Sequence, residues 1–306
     1  MAVTLPDALL ARYKRFSLYN SPYRAHDGGC AVDLYPGTLR DGRTTAAPSP
    51  VSGIVRETRT VRAPPKPYAP EHDHLIVIDC DGPDELEGLS ARILHVEPSV
   101  SSGDRVAVGE SLGTLVRAGF FAPWVDNHLH VGFREPDQNP YRASGSLPLE
   151  PGVEIEPLAW DGTGNVVAAD ETYAVLDAPR HPDPGSRFVG VAADGAASSG
   201  ERRDPASRRA GGVLDGGLPH YDGGGLLGLE EPSSGAVSLN GDRLGVLGGR
   251  TIDWDDVVVL ANGEPITGLS LFCARDAEFG AKLICPEVDL EVGDRVAVAV
   301  RSELGP

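Results

Sequence analysis

Short apolar runs broken by glycine and proline constrain the fold of this chain more than any other feature of its sequence. The 306 residues include 38 glycines and 26 prolines, and both residue types interrupt helices and favour turns. Between them stand runs rich in apolar and β-branched residues, such as 75–80, 91–96 and 295–300, which are typical of strands. The pattern predicts an all-β protein with little helix.

Chain length and local composition predict two folded domains with a connection between them. Residues 1–150 carry a first set of strand-like runs. Residues 151–235 are rich in proline and glycine, with a polar stretch from about 180 onward, and are predicted to be a connection and a partly mobile loop. Strand-like runs return about every ten residues in 236–306, which predicts a small antiparallel β-sandwich or barrel.

The charge of the chain excludes two classes of partner. With 45 acidic and 27 basic residues the net charge is −18, and such a surface repels both nucleic-acid phosphates and anionic membranes. Lysine occurs only at positions 14, 66 and 282, so arginine supplies most of the positive charge. Acidic excess with arginine in place of lysine is typical of proteins from salt-loving organisms, where ions screen the self-repulsion. An ordinary acidic protein is the alternative.

The sequence predicts a cytoplasmic location. Asp7 and Arg12 interrupt the N-terminal apolar residues, so the segment lacks the apolar core of a signal peptide. No stretch approaches the ~20 apolar residues that span a bilayer. The four cysteines form no C-x-x-C pair, and reduced thiols are the simplest interpretation. The spacing of Cys273 and Cys285 would also allow a bridge across a hairpin.

Two histidines near the middle of the chain suggest chemistry. His128 and His130 alternate with apolar residues, so on a strand both rings leave the same face and can share a metal ion or divide metal binding and proton transfer. Asp33 lies in the strand-like run 31–35, on the face opposite Val32 and Leu34. An acidic residue there is unfavourable unless it faces solvent or binds something.

Further motifs accompany these residues in a fixed order over about residues 20–135. The order is Asp33 on a strand, the turn and strand 50–55, the strand 75–79, Leu94-His95, the Gly-Asp-x-Val-x-x-Gly-x-x-Leu-Gly segment 103–113, and His128-Leu129-His130. This arrangement resembles the M23 (LytM/lysostaphin-type) zinc metallopeptidase domain. The glycine-rich segment followed by His-Leu-His is its most specific part. The resemblance implies an N-terminal β-barrel or sandwich of the duplicated hybrid motif type.

The resemblance also implies a zinc site that hydrolyses a peptide amide, with a peptide or small molecule as substrate. A catalytic zinc takes three protein ligands and leaves a position open for water. Carried over to this chain, the metal ligands are His26, Asp33 and His130. His95 and His128 would stand beside the water, where they orient it or stabilise the oxyanion.

The first ligand departs from the family pattern, because the position expected for its histidine is Gly29. His26 could reach the metal if residues 26–30 loop out, which the glycines make easy. Cys30 is chemically suitable, but on a regular strand it would point away from Asp33. The remaining alternative is a degenerate site, in which case the domain is a non-catalytic binding module that retains the scaffold.

The histidines of the chain allow two further hypotheses. His72 and His74 alternate like the pair above and could form a second metal patch, but they lie in the proline-rich stretch around 59–73, which is predicted to be a loop, so both are predicted to be solvated polar residues. A carrier or phosphotransfer protein using His95 or His128 on a similar barrel is the third hypothesis for function.

Overall fold

The computed structural model describes residues 2–194, 211–229 and 233–302, and nearly all of its regular structure is β. Helical structure among these residues is limited to α1 (Asp7–Leu10) and two 3-10 turns, Arg24–Gly29 and Asp84–Leu86. The predicted all-β class is therefore confirmed. The chain divides into two compact units, one of Met1–Leu18 with Tyr23–Val153, the other of Tyr19–Pro22 with Glu154–Pro306.

The first unit contains strands β1 to β12. In chain order they are β1 (Val3–Pro6), β2 (Arg15–Ser17), β3 (Val32–Tyr35), β4 (Ala46–Pro48), β5 (Ser52–Arg62), β6 (His72–Gly82), β7 (Ser90–Leu94), β8 (Val96–Pro98), β9 (Arg105–Val106), β10 (Ser111–Leu115), β11 (Leu129–Arg134) and β12 (Leu149–Gly152). The main antiparallel sheet has the order β2-β3-β11-β7-β6-β5-β9. A smaller sheet has the order β4-β10-β8, and β1 pairs in parallel with β12.

The centre of the main sheet fixes the register of the polar residues. Strand β11 lies between β3 and β7, with His130 opposite Asp33 on one side and Leu94 on the other. Residues directly opposite on paired strands project from the same face of a sheet. All six residues of β11 are buried. His130 and Asp33 are thus fixed side by side in the buried part of the sheet.

The predicted loop at 59–73 is confirmed for residues 63–71, which connect β5 and β6, and is wrong at its two ends. There the pairing of β5 with β6 continues as far as Arg62 opposite His72. Backbone hydrogen bonds hold these strand ends together, where Arg59, Arg62 and His72 are exposed and only Asp73 is buried. Composition conceals such strands, because the usual apolar alternation is missing.

The second unit contains strands β13 to β27 among the described residues. They are β13 (Ile155–Leu158), β14 (Thr163–Asp170), β15 (Tyr173–Leu176), β16 (Phe188–Val191), β17 (Val213–Leu218), β18 (Gly223–Leu227), β19 (Ser233–Leu239), β20 (Asp242–Gly249), β21 (Thr251–Trp254), β22 (Val257–Ala261), β23 (Glu264–Ile266), β24 (Gly268–Leu271), β25 (Cys273–Ala274), β26 (Lys282–Ile284) and β27 (Arg295–Ser302). The larger sheet is antiparallel with the order β19-β20-β21-β18-β17-β24-β26-β15-β14-β27-β22-β23, and β13-β16-β25 form a further set.

The predicted connection 151–235 belongs to the second unit instead. Strands β13 to β18 lie within it and form part of the sheets of that unit, which begins at Glu154 rather than at 236. The alternation of apolar and polar side chains that predicts a strand is absent here because the strands are rich in glycine. At Gly224 no larger residue fits, since a Cβ would lie 2.1 Å from the ring of Trp254. The part of the predicted loop at 195–210 lies outside the described residues.

Two smaller observations bear on the sequence predictions. Cys30, Cys80, Cys273 and Cys285 are all free thiols, so the bridge that the spacing of the last two would allow is not formed. Among the described residues there is no helix of the length and apolar character needed to cross a membrane.

Candidate metal centre

Three buried side chains of the first unit converge on one point. Asp33 Oδ1 lies 3.0 Å from Nδ1 of His130 and 3.3 Å from Nε2 of His26. The two histidine nitrogens are 3.1 Å apart. The exposed fractions of these residues are 3%, 7% and 4% for Asp33, His130 and His26. This group could hold a metal ion.

The triangle of ligand atoms has the dimensions of a metal site. Zinc binds histidine nitrogen and carboxylate oxygen at ~2.0–2.2 Å, so neighbouring ligand atoms in a tetrahedron stand ~3.3 Å apart. The three distances of 3.0, 3.1 and 3.3 Å agree with that spacing. Two imidazole nitrogens with one carboxylate oxygen suit zinc and other first-row transition metals better than magnesium or calcium, which prefer oxygen.

The turn Arg24–Gly29 brings His26 to the sheet. The turn is kinked at Asp27, with ψ of 128°, and at Gly28, with φ of 63°, and Gly29 also has a positive φ of 73°. Glycine adopts this left-handed conformation readily. Two such residues in succession turn the chain sharply between His26 and β3. Cys30, the alternative ligand, is not part of the metal-binding group.

Backbone carbonyls define which histidine nitrogens carry hydrogen. Nδ1 of His26 lies 2.8 Å from the carbonyl oxygen of Leu18, and Nδ1 of His128 lies 2.9 Å from that of Asp126. A carbonyl only accepts, so both Nδ1 atoms donate and both Nε2 atoms present a lone pair in the neutral ring. These Nε2 atoms stand 3.3 and 3.5 Å from Asp33 Oδ1. Lone pairs facing a carboxylate repel one another unless a cation or proton lies between them.

The electrostatics of the cluster favour the ligating forms of its members. Burial alone would raise the pKa of Asp33, but electrostatic attraction to the rings of His128 and His26 and a hydrogen bond from His130 hold that pKa well below its usual range. Burial lowers the pKa of His128 to about 4 and that of His130 to about 3. At neutral pH the carboxyl group is ionised and these two imidazoles are neutral, as metal binding requires.

His95 and His128 lie beside the group. The ring of His128 stacks on Phe121 with centroids 4.5 Å apart. The ring of His95 has its centroid 5.1 Å from that of His128 and 5.8 Å from that of His130. The structure therefore gathers every site residue that the sequence predicted into one buried cluster: His26, Asp33, His95, His128 and His130.

Sequence reasoning missed Asp73. Its carboxylate is fully buried, and Oδ2 lies 2.6 Å from Nδ1 of His95. Oδ1 accepts the backbone N–H groups of His74, at 2.7 Å, and of His95, at 3.1 Å. Burial opposes ionisation, but these contacts lower the pKa of Asp73 below its usual value. The sequence feature that could have identified Asp73 is the Glu-His-Asp-His segment, in which an acidic residue stands between two histidines.

Asp126 was also missed, although it stands two residues before His128. Its Oδ2 accepts a hydrogen bond of 2.8 Å from Nη2 of Arg15, and both side chains are buried. Its carbonyl accepts from His128 Nδ1. The second patch suggested for His72 and His74 is not among the metal-binding groups of the described residues.

Family models match the chain over nearly its whole length. Residues 4–151 match the N-terminal domain of DUF8155, and residues 156–301 match the C-terminal domain of the same family. The chain belongs to the DUF8155 family. Both DUF8155 domains are described as domains of unknown function. The boundary between the two matches falls where the second compact unit begins, at Glu154, and the candidate metal centre lies in the N-terminal DUF8155 domain. A search of the curated proteins finds no match.

Proposed function

We propose that the protein is a zinc-dependent hydrolase of the M23 kind that cleaves a peptide amide. The observation that carries the proposal is the triangle of Asp33 Oδ1, His26 Nε2 and His130 Nδ1, with edges of 3.0 to 3.3 Å. In the part of the chain that the structure describes, three protein ligands form it, as in catalytic zinc sites, which keep a position open. Two further histidines stand beside it.

Each residue of the cluster has a defined part in this proposal. His26, Asp33 and His130 would hold the zinc, which when bound supplies a Lewis acid that polarises a carbonyl and lowers the pKa of a water molecule. His128 donates from Nδ1 to the carbonyl of Asp126, so its Nε2 can accept a proton at the centre of the cluster. The ring of His95 has its centroid 5.1 Å from that of His128, close enough for His95 to take part in proton transfer beside the water.

A second candidate function is a non-catalytic module that keeps the M23-like scaffold. In one version of this module the metal site is degenerate because it lacks a third ligand. The position of His26 beside Asp33 and His130 argues against that version. One observation still favours a structural role for the metal: none of the three candidate ligands is more than 7% exposed. A metal that only stabilises the fold needs no access for a substrate.

Metal content tests the site itself. Elemental analysis of the purified protein is expected to give one zinc per chain, lost in His26→Ala, Asp33→Ala and His130→Ala. His72→Ala, at an exposed position, is the matched control and keeps its zinc. A wild-type protein that takes up no metal, even after incubation with zinc, contradicts the hydrolase and supports a non-catalytic module with a degenerate site.

Turnover separates the two candidates. With a mixed library of fluorogenic peptides as probe, the zinc-loaded protein is expected to cleave a subset of the library. His95→Ala and His128→Ala keep the zinc but lose ~10²–10³-fold in kcat, as expected when a proton-transfer or oxyanion group is removed. A fully loaded protein that cleaves none of the peptides supports the structural module instead.

A further inference from the structure

Asp73 and His95 form a buried pair next to the candidate metal centre. We propose that Asp73 is a positioning residue that fixes the ring orientation and the tautomer of His95, so that Nε2 of His95 is the nitrogen available to the reaction. This inference rests on the proposed function for its role in turnover. The pairing itself rests only on the geometry of the two residues.

The carboxylate of Asp73 is held from three directions. Its Oδ2 lies 2.6 Å from Nδ1 of His95. Its Oδ1 accepts two backbone N–H groups, those of His74 at 2.7 Å and of His95 at 3.1 Å. The side chain has no exposure to solvent. A carboxylate fixed in this way cannot rotate to release the histidine, so the ring is locked as well.

The pairing decides where the hydrogen of neutral His95 resides. An ionised carboxylate only accepts hydrogen bonds, so Nδ1 of His95 must donate and Nε2 keeps its lone pair. The ring of His95 packs with its centroid 5.1 Å from that of His128 and 4.6 Å from that of Phe121. Nε2 is therefore presented within the cluster as a hydrogen-bond acceptor. The same logic orients the histidine of a Ser-His-Asp triad.

The backbone at His95 supports a functional rather than an incidental contact. His95 has a φ of 73°, in the left-handed region that residues with a side chain seldom adopt. The other non-glycine residues with positive φ in the described ranges are Asn240 and Asn262. Strain of this kind persists where the surroundings impose it and clusters at functional sites. At His95 the hydrogen bond from its own N–H to Asp73 contributes to that constraint.

Replacement of Asp73 by asparagine gives a sharp test. The two backbone N–H groups need an acceptor, so they select the amide oxygen of the new side chain. The amide NH₂ group then faces Nδ1 of His95, which must become the acceptor. The hydrogen moves to Nε2, and the nitrogen that the wild type presents as a base is blocked.

The experiment is ¹⁵N NMR of protein labelled at histidine, combined with zinc analysis and kinetics on a cleaved fluorogenic peptide. We expect the Nδ1–H tautomer at His95 in the wild type and the Nε2–H tautomer in Asp73→Asn, with zinc retained. We expect kcat to fall ~10²–10⁴-fold, by analogy with the wrong-tautomer variant of the serine protease triad, and KM to change little. Asp79→Asn is the matched control, on the same strand but paired with Arg56, and keeps wild-type values.

The outcomes separate the two proposals. A wild-type His95 that carries its hydrogen on Nε2, measured without any variant, overturns the pairing. So does an Asp73→Asn protein whose tautomer and kcat match the wild type while zinc-dependent cleavage continues, and in that case the proposed function stands. If the tautomers are as expected but the wild type binds no zinc, the proposed function fails and the pairing is supported.

Discussion

At the scale of single residues, the ion pair of Arg15 and Asp126 underlies the position of His128. The pair is 2.8 Å long with side chains only 3% and 2% exposed, and the guanidinium of Arg15 also lies 4.6 Å from the centroid of the Tyr35 ring. Because Asp126 accepts from His128 through its carbonyl, the ion pair and the histidine are held by the same residue.

Asp126→Ala is expected to lower the free energy of unfolding by about 3–5 kcal/mol, because it leaves the buried charge of Arg15 without its carboxylate. Urea denaturation measures the change. Asp79→Ala removes a pair whose side chains are 48% and 32% exposed and should cost under ~1 kcal/mol. Equal losses in the two variants would contradict the role given to burial.

His220 predicts how stability responds to acid. Burial lowers its pKa to about 4, whereas an unfolded chain binds the proton near pH 6.5. As the pH falls, the unfolded state therefore takes up the proton first. The contribution of neutral His220 to the free energy of unfolding is fully present above pH 6.5 and is lost as the pH drops toward 4, by up to about 3 kcal/mol. In His220→Gln the free energy of unfolding, measured by urea denaturation at several pH values, should depend less steeply on pH in this window. A slope identical to that of the wild type would refute the assignment.

The sequence was informative about residues whose role follows from strand alternation. His128, His130 and Asp33 were found because an alternating pattern assigns side chains to faces. Asp73 and Asp126 were not found, because each acts through a partner that alternation does not reveal. Asp73 meets His95 across 22 positions, and Asp126 meets Arg15 across 111. Contacts of this kind depend on sheet register, which only the folded chain defines.

At the scale of elements, the turn Arg24–Gly29 determines whether the site has a third ligand. Gly28→Ala puts a side chain at a φ of 63° where nothing lies within 4 Å, so the change introduces strain and no collision. The metal-free protein can relax this strain by shifting the turn, and zinc binding must restore it. We expect zinc affinity to fall about five- to thirtyfold, equivalent to the ~1–2 kcal/mol of a left-handed residue, as measured by competition with a chelator.

Gly88→Ala is the control for that variant. Gly88 has a φ of 80° and equally open surroundings, and it lies after the turn Asp84–Leu86, outside the metal-binding group. The strain that Gly88→Ala introduces is the same with and without metal. The free energy of unfolding should therefore fall while the zinc affinity stays at the wild-type value. A loss of affinity in both variants would mean that the turn has no special role.

Elements were predicted well where burial is one-sided or complete and poorly elsewhere. Strand β6 was evident from Leu75 to Asp79, since its apolar residues are consecutive, but its polar start at His72 was not. Strands β17 and β18 were missed because their five glycines offer few side chains to pattern. Gly216 lies opposite Gly224 in the pairing of these two strands, where the backbones approach closely. A composition so rich in glycine predicts a loop.

At the scale of the whole molecule, the net charge of −18 predicts that salt stabilises the protein. Raising KCl from 0.1 to 1 M shortens the Debye length from ~10 to ~3 Å, which screens repulsion among exposed carboxylates. The midpoint of thermal unfolding should rise by about 3 °C or more, equivalent to ~2 kcal/mol for a chain of this size. Sucrose at equal osmolality serves as the uncharged control. An equal rise in sucrose, or none in KCl, would contradict an electrostatic origin.

Burial of the candidate ligands has a consequence for the lifetime of a bound ion. With Asp33, His26 and His130 at 3%, 4% and 7% exposure, an ion can depart only when the covering chain opens, including Phe121 over His128. Dissociation is then limited by the rate of that opening rather than by bond strength. The protein would keep whichever ion it acquired as it folded, and a chelator would remove it on the timescale of local unfolding.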